Sequence, residues 1–387
     1  MNRERRFDVV VVGARAAGAS SALMLARRGL RVMGFDRAAY GTDTLSTHAL
    51  MRTGVLALRR WGLLDRISAR TPAIRTTRFL YGDEVLDLAI EPQWGVDALY
   101  APRRTLLDAV LVDAARAAGA VIRHGVRLRS LIRDDDGRVR GVVVEDERGA
   151  LTELEADLVV GADGVRSTVA ERVGASPHRV GRHATAVAYG YFPIPERASR
   201  GYEWGFRRRV GTGVIPTGSG ACCVFVAVPQ ARFDARLAGD FEAGFRALLA
   251  EGAPELAASL ARLAPLERLR GFRGRVGHLR RCHGPGWALV GDAGYFKDPF
   301  TAHGISDALR DAELLARAVT GERPGGLAGY QERRDALSLR FFELTDAIAS
   351  FDWELPALRQ MHQELAKEMS REARALAELD VVVPRAA

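Results

Sequence analysis

Residues 7–18 read FDVVVVGARAAG and decide the fold of the chain. The β-branched run at residues 7–12 predicts a short parallel strand that is buried on both faces. A glycine-containing turn follows, and the Ala- and Leu-rich stretch 19–28 predicts a helix. Gly29 is placed to end that helix, and residues 30–35 predict a second strand. This order of strand, turn, helix and strand is a βαβ unit, which favours an α/β fold with a parallel sheet.

The spacing of two glycines and one acid indicates that this unit binds a dinucleotide. Gly13 permits the tight turn, Gly18 lets the helix pack closely on the sheet, and the helix N-terminus presents free N–H groups to a pyrophosphate. Asp36, which ends the second strand, can accept hydrogen bonds from a ribose diol. Arg15 stands where the usual pattern has its middle glycine, and it either contacts phosphate or is structural. The residues that we expect at this cofactor site are Gly13, Ala14, Arg15, Ala17, Gly18, Asp36 and Arg37.

Two later segments repeat the pattern of a buried strand followed by a polar loop. Residues 157–168 read DLVVGADGVRST, and residues 287–293 read WALVGDA. A long helical stretch starts at Gly304, and its N-terminal end is available for a phosphate or a flavin carbonyl. One such segment is weak evidence for a dinucleotide-binding protein, but three in order along the chain are strong evidence.

Together these segments resemble the fingerprints of the group A FAD-dependent monooxygenases, whose type member is p-hydroxybenzoate hydroxylase. The resemblance extends from residue 7 to about residue 320. It implies FAD as cofactor and an α/β fold: a Rossmann-like FAD-binding domain, an inserted β-sheet substrate domain and a C-terminal helical segment. We therefore expect the FAD-binding domain at 1–73, 101–180 and 276–325, the substrate-binding sheet at 74–100 and 181–275, and C-terminal helices at 326–387.

The resemblance also implies roles for individual residues. Pro299 matches the proline beside the reactive edge of the isoalloxazine ring. The remaining matches are Arg52 with the pyrophosphate, Arg104 with a helix start beside the cofactor, Asp163 and Gly164 with FAD and the nicotinamide donor, Gly291 and Asp292 with the ribityl chain, and Gly304 and Ile305 with the flavin pyrimidine carbonyl.

The sequence departs from the family pattern at three places. Besides Arg15, Ala170 occupies the position of an expected arginine, which leaves the route of nicotinamide access open. Lys297 and Asp298 precede Pro299 where the family has Ala-His, so they form either a salt bridge at a loop or a pair that tunes the flavin. No second glycine-rich fingerprint for a nicotinamide is visible. This fits either NADPH or NADH as a transient donor or a separate flavin reductase.

The candidate catalytic residues are His48, Lys297 and Pro299. The resemblance places His48 in a loop near the flavin, where it is either a proton relay or structural. His303 either faces the flavin or caps the following helix. Residues that alternate along a strand share a face, so we expect Tyr189 and Tyr191 to point the same way. The candidate substrate-pocket residues are Tyr189, Tyr191 and Tyr202, and packing is the simpler role for each.

Between and after the fingerprints, the pattern predicts two further regions. Residues 74–90 predict a hairpin around Gly82 and Asp83, and 184–194 and 202–228 predict strands of the substrate-side sheet. From Tyr330 to about Leu379 the chain predicts helix with a break near Pro356. We expect this helical segment to pack across the outside of the protein or at a subunit contact.

The leading functional hypothesis is an FAD-dependent monooxygenase. Through a flavin hydroperoxide, it would insert one oxygen atom from O2 into an aromatic or other electron-rich small molecule, using NAD(P)H. A reductase that resembles the geranylgeranyl reductases is the first alternative, and a flavin-binding protein without turnover is another. A flavin-dependent halogenase is disfavoured, because that class needs a lysine in its N-terminal half and the first lysine here is Lys297.

Composition narrows the possible partners. The net charge is +8, but Lys297 and Lys367 are the only lysines and the arginines are dispersed, so we expect no nucleic-acid partner. The three cysteines lack metal-ligand spacing, and we expect reduced thiols and no metal. The N-terminal residues lack a signal-peptide pattern, and no apolar run reaches membrane-spanning length. We therefore expect a cytoplasmic monomer or homodimer without stable membrane insertion.

Overall fold

The structure is a computed structural model that describes residues 6–194 and 201–380. Parts of the expected domains, at 1–5, 195–200 and 381–387, lie outside the described residues. The strands are β1 (Arg6–Val12), β2 (Val32–Asp36), β3 (Thr76–Tyr81), β4 (Glu84–Ala89), β5 (Val121–His124), β6 (Arg127–Arg133), β7 (Val139–Glu145), β8 (Leu151–Gly161), β9 (Pro177–Val180), β10 (Thr185–Pro193), β11 (Tyr202–Arg207), β12 (Val210–Pro216), β13 (Ala221–Pro229), β14 (Arg270–Phe272), β15 (His278–Arg280), β16 (His283–Gly284), β17 (Trp287–Leu289) and β18 (Tyr295–Phe296).

Helices connect and cover these strands. They are α1 (Ala16–Ala26), α2 (Arg52–Arg60), α3 (Leu64–Ser68), α4 (Arg104–Ala117), α5 (Thr168–Arg172), α6 (Gln230–Leu237), α7 (Phe241–Gly252), α8 (Pro254–Leu260), α9 (Gly304–Val319), α10 (Gly326–Ala349) and α11 (Leu355–Ala377). Among the described residues, none of these helices combines the length and apolar character that crossing a membrane requires.

A parallel sheet carries the three sequence fingerprints. Among the described residues, five of its eight strands lie in the order β17, β8, β1, β2, β5 and run parallel to their neighbours, and β16, β7 and β6 extend it by antiparallel pairing. The chain passes from β1 to β2 on one side and later returns to β8 on the other side of β1. Ligands of open α/β sheets bind at the carboxyl ends of the strands where the strand order reverses in this way. The α/β fold class predicted from the sequence is confirmed.

A second sheet has the order β14, β10, β13, β12, β11, β3, β4 within the described ranges. The predicted hairpin is present, because β3 and β4 pair across the turn at Gly82. Alternation gives the sheet two faces. Tyr189 and Phe225 join the core shared with the parallel sheet, whereas Ala188 and Val224 belong to a separate core that includes residues of α7 and α8.

The C-terminal helices are part of the folded core. The predicted helical segment and its break are confirmed by α10 and α11, which end and start on either side of residues 350–354. Ser338 and Thr345 of α10 and Glu372 of α11 are all buried. The hydroxyl of Thr53, on α2, donates a hydrogen bond of 3.1 Å to Glu372. We expected the C-terminal helical segment to pack across the outside of the protein or at a subunit contact. The structure differs, because polar side chains of α10 and α11 lie in the interior.

Candidate functional site

The turn after β1 is packed as tightly as a dinucleotide-binding turn requires. Gly13 has φ +96°, and a Cβ there would lie 2.5 Å from the carbonyl oxygen of Ala162. A Cβ on Gly18 would meet the carbonyl oxygen of Gly13 at 1.7 Å. Both positions therefore require glycine, which brings the start of α1 against the loop after β8. This close approach explains why a βαβ signature could be read from the sequence.

The acid at the end of β2 fixes the same turn from the other side. Asp36 Oδ2 accepts a 2.9 Å hydrogen bond from the Ala14 N–H group, and Oδ1 accepts one from the Ala38 N–H group at 2.8 Å. The carboxylate is half-buried and Arg37 beside it is exposed. Ala17, in the first turn of α1, faces Gly291. The residues predicted at this end of the cofactor site thus surround one turn.

In the loop after β8, which was expected to serve FAD and the nicotinamide, an aspartate forms hydrogen bonds with the residues at the start of α5. Asp163 accepts hydrogen bonds from the Ser167 hydroxyl at 2.5 Å and from the Thr168 N–H group at 2.7 Å. Burial raises the pKa of the Asp163 carboxyl, and those hydrogen bonds oppose the rise. Gly164 has φ +80° and open space around its Cα. Asp163 therefore shapes the start of α5, and Gly164 is the residue with room for a ligand.

The start of α9 lies opposite the turn after β1, and we call the region between these two segments the cleft. Gly291, with φ +55°, fits against Ala17 of α1 and Ala308 of α9. Asp292 is half-buried, and burial raises the pKa of its carboxyl to about 6 although Lys297 and Arg104 pull it down. Gly304 is exposed, and a Cβ there would contact only Asp292 Oδ1, at 3.8 Å.

These surroundings fit an extended dinucleotide. The turn after β1 offers N–H groups to a pyrophosphate, and the open first turn of α9, with half-buried Ile305, offers N–H groups beside Asp292. Both ends lie at the carboxyl edge of one parallel sheet.

Two residues expected at the cofactor make other contacts. Arg52 donates hydrogen bonds to the carbonyl oxygens of Val96 at 2.9 Å and Glu91 at 2.7 Å, so it holds the loop after β4. Its assignment to the pyrophosphate stays a prediction that these contacts do not support. Pro299 is half-buried and opens a one-turn helix, and the next residue, Phe300, packs on the second sheet against Gly211.

A buried histidine and two tyrosines meet between the cleft and the second sheet. His48 Nε2 forms a hydrogen bond with the Tyr191 hydroxyl, and the two rings stack at 5.7 Å. Tyr189 lies on the same face, with its ring 6.0 Å from that of Tyr191. The Tyr189 hydroxyl accepts a hydrogen bond from the Ser46 N–H group at 3.2 Å. Tyr202 is also buried, in edge-to-face contact with Trp204.

The environment of His48 keeps its ring neutral. Only 1% of the residue is exposed, and burial lowers its pKa to about 3 although Asp43 opposes this. Burial also raises the pKa of Tyr191, so its hydroxyl stays protonated. Among the described residues, His48 Nδ1 is buried and has no hydrogen-bond partner. A neutral imidazole with one free nitrogen can exchange a proton with a bound ligand.

Four charged residues beside this pair could not be identified from the sequence. Asp43 Oδ2 lies 2.9 Å from Arg103 and 3.2 Å from Arg270, and Glu267 pairs with both arginines. The Arg103 guanidinium lies 3.7 Å from the centroid of the Tyr191 ring. Arg103 precedes Arg104, which was predicted at the cofactor, and this pair of arginines was the only feature of the sequence that pointed to Arg103. Asp43 comes from one segment and Glu267 and Arg270 from another, and they share no motif.

A salt bridge between Lys297 and Asp298, one of the two expected roles, is not formed, and their place beside the flavin stays a prediction. The Lys297 ammonium pairs with Asp307, is buried, and lies 4.5 Å from the Phe341 ring centroid. Asp298 instead accepts hydrogen bonds from the N–H groups of Thr185 at 2.6 Å and Phe300 at 3.0 Å. The two side chains diverge because Lys297 extends toward α9 and α10. The catalytic assignment of Lys297 therefore loses its geometric basis.

His303 occupies the N-cap position of α9, but its side chain forms no capping hydrogen bond and is buried. Its Nε2 lies 2.5 Å from Glu372 Oε2, and Arg310 Nη1 lies 2.6 Å from Glu372 Oε1. Burial would raise the pKa of Glu372, but His303 and Arg310 outweigh it and lower the pKa. His303, Asp307 and Glu372 have donor atoms within 4.8 Å of one another, but Lys297 and Arg310 already neutralise the carboxylates. We interpret the group as a buried ion-pair cluster.

The fold and cleft together define a flavin-dependent oxidoreductase that binds FAD. A family model described as an FAD binding domain matches residues 6–343, and the chain belongs to that family, within the FAD-dependent monooxygenase superfamily. This confirms the resemblance identified from the three fingerprints.

The names of similar proteins point to different reactions. The chain is 29% identical over 345 residues to menaquinone reductase from Mycolicibacterium smegmatis, covering 84% of this chain and 78% of the relative. It is 30% identical over 384 residues to kynurenine 3-monooxygenase from Salinispora arenicola, covering 86% and 77%. It is also 30% identical over 380 residues to digeranylgeranylglycerophospholipid reductase 1 from Methanopyrus kandleri, covering 90% and 91%.

Solved structures share the fold at lower identity. The flavin-dependent brominase Bmp2 superposes with a TM-score of 0.80 at 16% identity, covering 97% of this chain and 94% of that one. PqsL from P. aeruginosa, solved in complex with 2-aminobenzoylacetate, gives a TM-score of 0.77 at 20% identity, covering 94% and 100%. These similarities establish the architecture, and the reaction has to be argued from the site.

Proposed function

We propose that the protein is an FAD-dependent monooxygenase that inserts one oxygen atom from O2 into an aromatic or other electron-rich small molecule. The observation that carries this proposal is the buried His48–Tyr191 pair. A phenolic substrate has to lose its proton to become electron-rich, and a reductase of alkenes has no such need. NADPH or NADH would supply the electrons, either by binding transiently or through a separate flavin reductase.

The cofactor would be held by residues on both sides of the cleft. The turn at Gly13, the carboxylate of Asp36 and the first turn of α9 at Gly304 are placed to bind its phosphates, ribose and ring system. When bound, FAD would supply the activation of O2, and the protein supplies position and electrostatics. Asp292, half-buried beside Gly304, is in reach of the cofactor chain.

The proton relay follows from the geometry of the histidine. In the tautomer whose Nε2–H group donates to the Tyr191 oxygen, Nδ1 of His48 is a buried acceptor without a protein partner, which a substrate hydroxyl would reach only when the surrounding side chains move. The low pKa of His48, about 3, means that the ring stays neutral and is a weak base, so the pair would orient a substrate hydroxyl by hydrogen bonding and would not hold its proton. Arg103, which is paired with Asp43 and Glu267, lies over the Tyr191 ring and holds that ring in place.

The first test follows the flavin colour without oxygen. The purified FAD-loaded protein is mixed anaerobically with NADPH or NADH, with and without candidate phenols and aromatic amines. We expect bleaching that a subset of the aromatic compounds accelerates, followed by a hydroxylated product when oxygen is admitted. Oxygen-independent turnover of a compound, with no hydroxylated product, would contradict the proposal.

A reductase that resembles the geranylgeranyl reductases is the second candidate. It is favoured by 30% identity to an archaeal isoprenoid-lipid reductase over nearly the whole of both chains. The aromatic face of the second sheet, which includes Tyr202, Trp204 and Phe225, gives an apolar wall that suits a hydrocarbon chain. Such an enzyme would reduce a polyprenyl substrate anaerobically, and His48→Gln would leave that turnover largely intact.

A further inference from the structure

Arg15 does more than replace a glycine, because its side chain crosses from the phosphate turn to another loop. One guanidinium nitrogen donates to the Thr42 carbonyl oxygen at 3.0 Å and to Asp108 Oδ2 at 3.2 Å. The other donates to the Thr42 hydroxyl at 3.1 Å and to the Asp43 carbonyl oxygen at 3.4 Å. A planar guanidinium can make such a forked set of contacts, and an ammonium cannot.

The loop that Arg15 holds leads to the substrate side. Residues 37–49 contain no helix or strand, and Thr42 is exposed. The backbone of Asp43 accepts from Arg15, while its side chain accepts from Arg103 and Arg270.

From there the contacts continue to the catalytic candidates. Arg103 stacks on Tyr191, whose hydroxyl bonds His48 at the end of the same loop. The contacts therefore run without a gap from the turn after β1 to the proposed proton relay.

A second connection runs through α4. Asp108 accepts two hydrogen bonds of 3.0 Å from Arg104 in addition to the one from Arg15. Arg104 in turn lowers the pKa values of both Asp292 and His48, so it lies within electrostatic reach of both ends of the site. The charge of Arg15 is thus balanced by a carboxylate that already belongs to the cofactor-side network.

We propose that Arg15 is a positioning residue that couples the pyrophosphate site to the substrate-side loop. Its backbone lies in the phosphate turn and its side chain fixes Thr42 and Asp43. Binding of FAD against that turn would order the loop, and with it Asp43, Arg103 and the His48–Tyr191 pair. The inference rests on FAD binding, which the family establishes, and is independent of which reaction the enzyme performs.

Hydrogen–deuterium exchange of the FAD-loaded protein tests this coupling. We expect Arg15→Gly, which restores the glycine of the usual pattern, to speed exchange of the residue 40–48 amides about tenfold at saturating FAD, because local opening is no longer opposed. We expect Arg15→Lys to do the same while FAD affinity changes by no more than about threefold, because the positive charge remains. Arg148→Gly, at an exposed turn residue, is the matched control.

The outcomes separate the alternatives. Unchanged loop exchange in both Arg15 variants, with weaker FAD binding in Arg15→Gly, would overturn the proposal and make Arg15 a simple phosphate ligand. Unchanged loop exchange with unchanged FAD binding would make it a solvated side chain. If Arg15→Gly does not bind FAD, the test rests on Arg15→Lys. Faster exchange of the loop amides in an Arg15→Lys protein that retains FAD supports the coupling. None of these readouts requires a substrate, so they stand apart from the test of the proposed reaction.

Discussion

At the scale of single residues, the His48–Tyr191 pair is the feature on which the proposed chemistry depends. We expect Tyr191→Phe and His48→Gln each to lower kcat about a hundredfold on a phenolic substrate, because a positioned acid–base group typically contributes that much. The flavin spectrum should stay unchanged. Tyr40→Phe, which removes an exposed hydroxyl bonded to Asp113, is the control. Equal kcat values in all three variants would remove the relay from the mechanism.

The low pKa of His48 also makes a prediction about stability. Burial lowers this pKa to about 3, below the value of about 6.5 in an unfolded chain. Between these two pKa values the unfolded state binds a proton at this histidine and the folded state does not. The contribution of neutral His48 to the unfolding free energy is therefore complete above about pH 6.5 and is lost as the pH falls. In His48→Gln, we expect the unfolding free energy to depend less steeply on pH between about pH 4 and 6, by up to about 1.4 kcal/mol per pH unit.

Denaturant unfolding at several pH values measures that slope. His362→Gln provides a comparison, because burial lowers the pKa of His362 to about 4 where this residue of α11 packs against Tyr81 and Phe206 of the second sheet. It should reduce the slope in the same direction without affecting the relay. A wild-type slope in His48→Gln would show that the folded protein accommodates the charged imidazole.

At the scale of elements, Glu372 ties α11 to α9 and α2. It is 1% exposed and bonded to His303, Arg310 and Thr53. We expect Glu372→Gln to lower the unfolding free energy by about 3–5 kcal/mol, because breaking a buried pair leaves its partners uncompensated. The same change at Glu364, a partly exposed residue of α11 paired with Arg340, should cost less than about 1 kcal/mol. Equal losses in urea unfolding would contradict the ranking.

The contact between the loop after Pro299 and the second sheet makes a further prediction. A Cβ on Gly211 would lie 2.2 Å from the Phe300 ring. We expect Gly211→Ala to destabilise the protein by about 1–3 kcal/mol through overpacking, and Phe300→Leu to recover part of this loss in the double variant. Gly239→Ala has open space around it and serves as the control. Additive losses in the double variant would show that the two sites are uncoupled.

At the scale of the whole molecule, the sequence predicted what depends on local spacing. The glycines at 13 and 18 and the alternation at Tyr189 and Tyr191 are short-range patterns, and the structure has the turn and the shared face that they indicate. Lys297 was misplaced because adjacency in the chain suggested a partner, Asp298, while the true partner lies one helical turn into α9.

Contacts between distant segments left no local pattern in the sequence. Asp43, Arg103, Glu267 and Arg270 come from three separate regions, and each is an ordinary charged residue in its own segment. Glu372 is likewise one acid among several in an amphipathic helix, and only the packing of α11 buries it. The class of cofactor could therefore be predicted from sequence motifs. The ion-pair clusters on either side of the cleft could be identified only from the three-dimensional structure.

Isotopic labelling of the product with 18O2 tests the proposed monooxygenase reaction most directly. Once the anaerobic bleaching experiment has identified a compound that accelerates flavin reduction, that compound is turned over with the electron donor under 18O2 and analysed by mass spectrometry. We expect a hydroxylated product that carries one 18O atom, and no product without oxygen. A reduced product that lacks 18O and accumulates equally well without oxygen would contradict the monooxygenase assignment.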